Sequence, residues 1–124
     1  MLNEIGTYLQ SQGIGTLGAD LFLGLMPDQP DNCIALFQYA GSPPDLHWPG
    51  EYPGLQVRVR NKSYAAARTK IGEAMTALHG LHEQTLSGTR YLLIKARGSP
   101  EVLKRDNNNR VELFVNFEII KERD

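Results

Sequence analysis

The 124-residue chain has a single cysteine, Cys33, which excludes a disulfide within the chain. It lies in the apolar run Cys33–Phe37, the setting of a buried, inert thiol. No apolar run approaches the ~20 residues that cross a bilayer, so no membrane partner is expected. The start, MLNEIGTYLQSQGIG, lacks both a basic segment and a continuous apolar core, which argues against a secretory signal and makes Met1 the expected mature start. Catalytic motifs are missing too: there is no G-x-S-x-G, P-loop or zinc-protease helix, and Gly13-x-Gly15-x-x-Gly18 precedes a strand instead of following one. Of His47, His79 and His82, only the last two could share a helix face, and Gly80 breaks the helix between them. Two such ligands do not make a zinc site. Asp20, Asp28, Asp31, Asp45 and Glu51 have no spacing that nominates an acid and base. No enzymatic activity, metal or cofactor is therefore expected.

The content that is there suits one ordinary domain spanning residues 1–124, with 41% apolar and 22% charged residues. Leu2, Ile5 and Leu9 recur at helical spacing and predict a short N-terminal helix that ends at Gly13 and Gly15. Leu21–Met26 reads as a short strand, Pro27–Asn32 as a turn, and Cys33–Tyr39 as a strand apolar on both sides, covered by a helix and by a second element such as a neighbouring subunit. Gly41–Gly54 holds Pro43, Pro44, Pro49 and Pro53, which predicts an irregular loop carrying His47, Trp48 and Tyr52. Within it Trp48 either folds back over its own core or anchors an interface. Leu55, Val57 and Val59 alternate with Gln56, Arg58 and Arg60, giving a strand with one buried and one cationic face.

Ser63 is placed to cap a long amphipathic helix over Tyr64–Leu78, with Tyr64, Ala67, Ile71, Ala74 or Met75, and Leu78 as its apolar stripe. Gly80 closes it, and His79 would favour the negative helix end. Tyr91–Ala96 is the next strand, with Leu92, Ile94 and Ala96 on one face and Tyr91, Leu93 and Lys95 on the other, broken by Gly98-Ser99-Pro100. Asp106–Asn109 makes a hairpin tip within Lys104–Arg110. Val111, Leu113, Val115, Phe117 and Ile119 then share one face of a last strand, with Phe114 and Ile120 on the other, and Lys121–Asp124 reads as a frayed tail. The sum is an α+β fold: a mainly antiparallel sheet with a long central helix and a short N-terminal helix packed on it.

Charge is nearly balanced, 13 Lys and Arg against 14 Asp and Glu, which supplies no general attraction to nucleic acid. It is unevenly spread, because the first 50 residues have no Lys or Arg. The residues free of a core role, and so candidates for a subunit or partner interface, are Trp48, Tyr52, Arg58, Arg60, Arg105, Asp106, Phe114 and Ile120.

Three stretches in this order resemble the tail terminator (tail completion) proteins of long-tailed phages, including their minor capsid protein branch. They are Pro53–Arg60, the helix Tyr64–Leu81 with its Ala-Leu-His-Gly-Leu ending, and Ser99–Asp106 followed by Arg110–Phe117. With the upstream strands, the resemblance covers most of the chain. It implies a structural virion protein, assembled in the host cytoplasm, that forms a hexameric ring at the head–tail junction, caps the tail tube, stops its polymerisation and offers a docking surface to head-completion proteins. It also implies that DNA passes through the lumen without specific binding. Arg58 and Arg60 would then meet acidic residues of a neighbour. Another connector or minor capsid role, or a generic small oligomeric binding module, stays open alongside it.

Overall fold

In a computed structural model the described residues, 1–123, form two helices and seven strands. They follow the order α1 (Leu2–Ser11), β1 (Leu21–Leu23), β2 (Cys33–Ser42), β3 (Gly50–Asn61), α2 (Tyr64–Leu78), β4 (Leu81–Leu86), β5 (Thr89–Ala96), β6 (Glu101–Arg105) and β7 (Val111–Glu122). The sheet order is β1-β2-β3-β7-β5-β4 with β6 also paired to β7. Every pairing is antiparallel except β1 with β2. β5 and β6 lie along the same edge of β7, Ala96 opposite Phe117 and Glu101 opposite Phe114, so Arg97–Pro100 is a bulge in one interrupted strand line.

Both helices pack on one face. α2 crosses β3, β7 and β5, and α1 covers β1, β2 and β4. The core between them joins Ile5 and Leu9 of α1, Ala67, Ile71, Ala74 and Leu78 of α2, and Leu36, Leu55, Val57, Leu113, Val115 and Phe117 of the sheet. Ser63 caps α2 as its position predicts, its hydroxyl accepting from Ala66 N at 3.2 Å.

α2 has 15 residues and α1 has 10, so the predicted long central helix is an ordinary four-turn one. Ala67, Ile71, Ala74 and Leu78 follow the helical period and are buried, whereas Tyr64 sits in the first turn, beyond the sheet, and is 44% exposed. His79 is the residue that follows the last turn of α2. Its Nδ1 accepts from Ala96 N at 2.9 Å, fastening β5.

The predicted loop Gly41–Gly54 is shorter. β2 runs on to Ser42 and β3 begins at Gly50, leaving residues 43–49 between them. Pro53 is tolerated because the β2 ladder is already interrupted there: Tyr39 pairs Gly54 but Ser42 pairs Tyr52. Gly41 takes the extra residue at φ +65, with its α-carbon so close to Tyr52 O that a β-carbon would not fit.

β5 departs from simple alternation. Tyr91 pairs Lys121 while Leu93 pairs Ile120, and this bulge at Leu92 turns Tyr91 and Ile94 both inward. Tyr91 then reaches Glu4 Oε1 at 2.6 Å and Thr89 donates to the same carboxylate, which ties α1 to the sheet. The predicted frayed end is ordered through Arg123: Lys121 is buried and donates to Glu51 Oε1 at 3.3 Å, and Arg123 N donates to Pro49 O at 2.7 Å. Asp124 lies outside the described residues.

Phe117→Ala removes a fully buried ring and is expected to cost roughly 3–5 kcal/mol, and Ser63→Ala about 1 kcal/mol, both read as lowered urea midpoints.

Candidate functional site

Because side chains alternate along a strand, the register that sends Leu55, Val57 and Val59 to the helices sends Gln56, Arg58 and Arg60 to the opposite face. Cross-strand rows follow. Cys33, Arg60, Glu112 and Lys104 form one; Ala35, Arg58, Phe114 and Glu101 the next; then Phe37, Gln56 and Asn116; and finally Tyr39, Gly54, Glu118 and Lys95. No helix covers this face, which makes it the candidate interaction surface.

Its middle is knitted by side chains. The Arg58 guanidinium lies 4.5 Å from the centre of the Phe37 ring and its Nε donates to Gln56 Oε1 at 2.6 Å. Gln56 Nε2 donates onward to Asn116 Oδ1 at 3.0 Å. Arg58 is therefore half-buried, with Phe114 beside it, instead of reaching freely into solvent. The Tyr39 ring lies directly over Gly54, where any β-carbon would collide with it, and its hydroxyl donates to Phe117 O at 3.3 Å. Tyr39, Tyr52 and Ile120 line a groove of about 310 Å³ at this end.

The other end is closed by the chain itself. Arg60, expected on an exposed cationic face, is only 4% exposed. Its guanidinium donates to the carbonyls of Pro27, Asp28, Pro30 and Asp31 at 2.6–3.2 Å. The second cover predicted for β2 is thus supplied here by the Pro27–Asp31 turn, and Cys33 and Ala35 are buried. Burial pushes the Cys33 thiol up, which keeps it protonated and inert.

Arg110, missed as a site residue, joins that turn to the hairpin. It donates to Asp28 O at 2.5 Å, Asp28 Oδ1 at 2.8 Å, Asp31 Oδ1 at 3.2 Å and Asp106 Oδ2 at 2.7 Å. The Asp28 bond, helped by Asp106 and opposed by burial, holds its guanidinium well above the ordinary arginine range. Asp106 also accepts from Asn108 N and Arg110 N, both at 3.0 Å, and so shapes the tip. Burial works against its charge, but these bonds outweigh it and lower its carboxyl; at Asp31 burial is likewise outweighed, chiefly by Lys62. Only a polar flank on the hairpin signalled Arg110 in the sequence. Arg105, at the end of β6, stays exposed.

Trp48 and Tyr52 belong to a separate cluster. The indole folds back over Gly50, and Tyr52 OH donates to Asp45 Oδ2 at 3.2 Å. His47 N donates to Asp45 Oδ1 at 2.9 Å; this bond leads, with Tyr52 and the Trp48 indole, in lowering the Asp45 carboxyl against burial. Leu46 faces outward and is 92% exposed.

A sheet backed by two helices, its other face closed at one end by the Pro27–Asp31 turn, defines a small α+β protein; among the described residues no three or more His, Cys, Asp or Glu side chains gather as a metal site would need. Comparison of sequences gives the family: the model of the bacteriophage tail terminator protein family matches residues 8–123, and the chain belongs to that family. The fold is similar to a chain of the virion of a native gene transfer agent particle, with a TM-score of 0.77 at 13% identity, over 99% of this chain and 95% of that one. Comparison with curated protein sequences found no match.

A group whose folded pKa is depressed adds stability above its unfolded pKa and loses it as pH falls through the folded one. Asp31 and Asp106 are both of this kind, so stability is expected to drop as pH is taken from 7 to below about 4. Urea titrations across this range check it, and Asp106→Asn should start less stable at pH 7 and show a shallower fall. In the loop, Asp45→Ala is expected to speed amide exchange at His47 and Trp48 by at least tenfold while the β3 core amides keep their rates.

Proposed function

We propose that this protein is the terminator of a phage tail: a closed ring, hexameric in the simplest form, that sits on the head-proximal end of the tube and blocks further tube addition. Membership of the tail terminator family over residues 8–123 carries the reading. A capping protein needs one surface that matches the tube end and another that does not repeat it, and no bond chemistry. A ring is built from heterologous contacts, so each copy needs two different complementary patches. The chain offers surfaces of different character: the half-covered sheet face around Arg58, Phe114 and Ile120, the Leu46 tip, and the exposed hairpin with Arg105.

The surface left over after capping would dock a head-completion protein, and the tube protein would meet the opposite one. Arg60 is satisfied inside its own subunit, so of the pair on β3 only Arg58 is left to meet a neighbour, with Arg105 among the exposed cations of the hairpin. DNA would cross the lumen without being held, which suits a chain of net charge −1. The ring would thus act at the head–tail junction after assembly in the host cytoplasm.

Electron microscopy of particles made without this protein tests the reading. Tails of uncontrolled, excessive length beside separate filled heads are expected. Normal tail lengths with unjoined heads would instead assign a different connector role.

A further inference from the structure

We infer that residues 25–31, the Pro27–Asp31 turn with Leu25 and Met26 before it, form a strap that lifts off the helix-free face as a unit while the core stays folded, and so sets how much of that face is open. The segment adds nothing to the core. None of its residues is buried; Leu25 is 56% exposed, and neither it nor Met26 joins the apolar cluster beneath the helices. Among the described residues, its hydrogen bonds to the rest of the chain come from Arg60 and Arg110, which reach the carbonyls of Pro27, Asp28, Pro30 and Asp31 and the carboxylates of Asp28 and Asp31. Lys62 adds an ion pair with Asp31 at 3.4 Å.

Such attachments differ from a core strand in what happens when they part. The two guanidiniums and the carbonyls of the turn come into water together, so each recovers a partner and none is stranded in an apolar medium. An element held only this way belongs to the low-stability end of a fold, where opening is local. Its ends suit hinges. Gly24 N donates to Leu36 O at 2.7 Å, and Asn32 Oδ1 accepts from Lys62 N at 3.1 Å, which pins the segment on both sides. Gly24 sits at φ +77 with open space where a β-carbon would stand, so its backbone can turn without a side chain to clear.

What the strap covers is separate from the core. Cys33 and Ala35 are buried, yet they stand outside the cluster beneath the helices, in the rows of Arg60 and Arg58. Met26 and Asp28 form one wall of an open groove of about 410 Å³, with Phe37, Arg58, Lys104 and Glu112 around it. Lifting the strap removes that wall and joins the sealed row of Cys33, Arg60 and Glu112 to the half-covered surface around Arg58.

Cys33 is the only thiol in the chain and reports the opening directly. The purified protein is labelled with 4,4′-dithiodipyridine at increasing urea, beside amide exchange of Leu55 and Val57 in the core part of β3. Labelling is expected to outrun core opening and to depend little on urea, because a short polar segment exposes little surface. Arg110→Gln is expected to speed labelling by roughly tenfold while the Leu55 and Val57 amides keep their rates. Labelling that rises with urea as steeply as core exchange, or an Arg110→Gln effect matched by the core amides, means exposure by global unfolding alone and overturns the strap. If Arg110→Gln does not fold, Asp28→Asn replaces it, since that side chain is 73% exposed. Labelling faster by about threefold at unchanged core exchange is then expected, and unchanged labelling overturns the inference.

Discussion

The pairing of β3 with β7 is the constraint from which both sides of the molecule follow. Setting Val57 opposite Val115 and Leu55 opposite Phe117 buries one face beneath α2, and the two-residue period leaves no choice about what stands on the other. Arg60 is thereby forced beside Glu112 at a place where the chain crosses over it. A buried guanidinium must find oxygen acceptors, and the Pro27–Asp31 turn supplies four carbonyls to Arg60. Arg110 then extends the same arrangement to the hairpin tip. A slip of one residue would put the arginines into the core and the valines outside, so the hydrophobic and ionic halves of the structure specify the same register.

Those halves were not equally legible. The ends of α2 could be read because each has its own chemistry, a serine hydroxyl for the free amides at the start and a glycine at φ +88 after the end. The inward face of β7 could be read because five apolar residues alternate without interruption. β4 could not: His82, Glu83, Gln84 and Thr85 show no apolar alternation, and the strand is held by backbone pairing to β5 and anchored by Leu86. The first residues of β3 were hidden by Pro49 and Pro53, whose missing amides matter only where a ladder needs them. The inward turn of Tyr91 depends on a bulge that no alternation rule contains.

The candidate surface was legible in position and misread in exposure. Alternation says which side of a sheet Arg58 and Arg60 occupy. What covers them depends on segments distant in the chain, and the turn that seals Arg60 begins over thirty residues before it. The aromatic loop shows the same limit: its composition left open whether Trp48 folds back or anchors an interface, and in the structure, with Asp45 bonded to His47 N and Tyr52 OH, the indole lies over Gly50 and Leu46 faces outward. Sequence thus indicated the side of the sheet or the loop on which these residues stand, while their exposure had to come from packing.

The central claim is positional: this chain closes the head-proximal end of a tail tube. The most direct measurement is cryo-electron microscopy of the head–tail junction in intact particles, with this fold fitted to the density. The account predicts a single closed ring of the chain on the last layer of the tube, facing the head. Finding it at the distal tip, repeated along the tube, or missing from the particle would contradict the account.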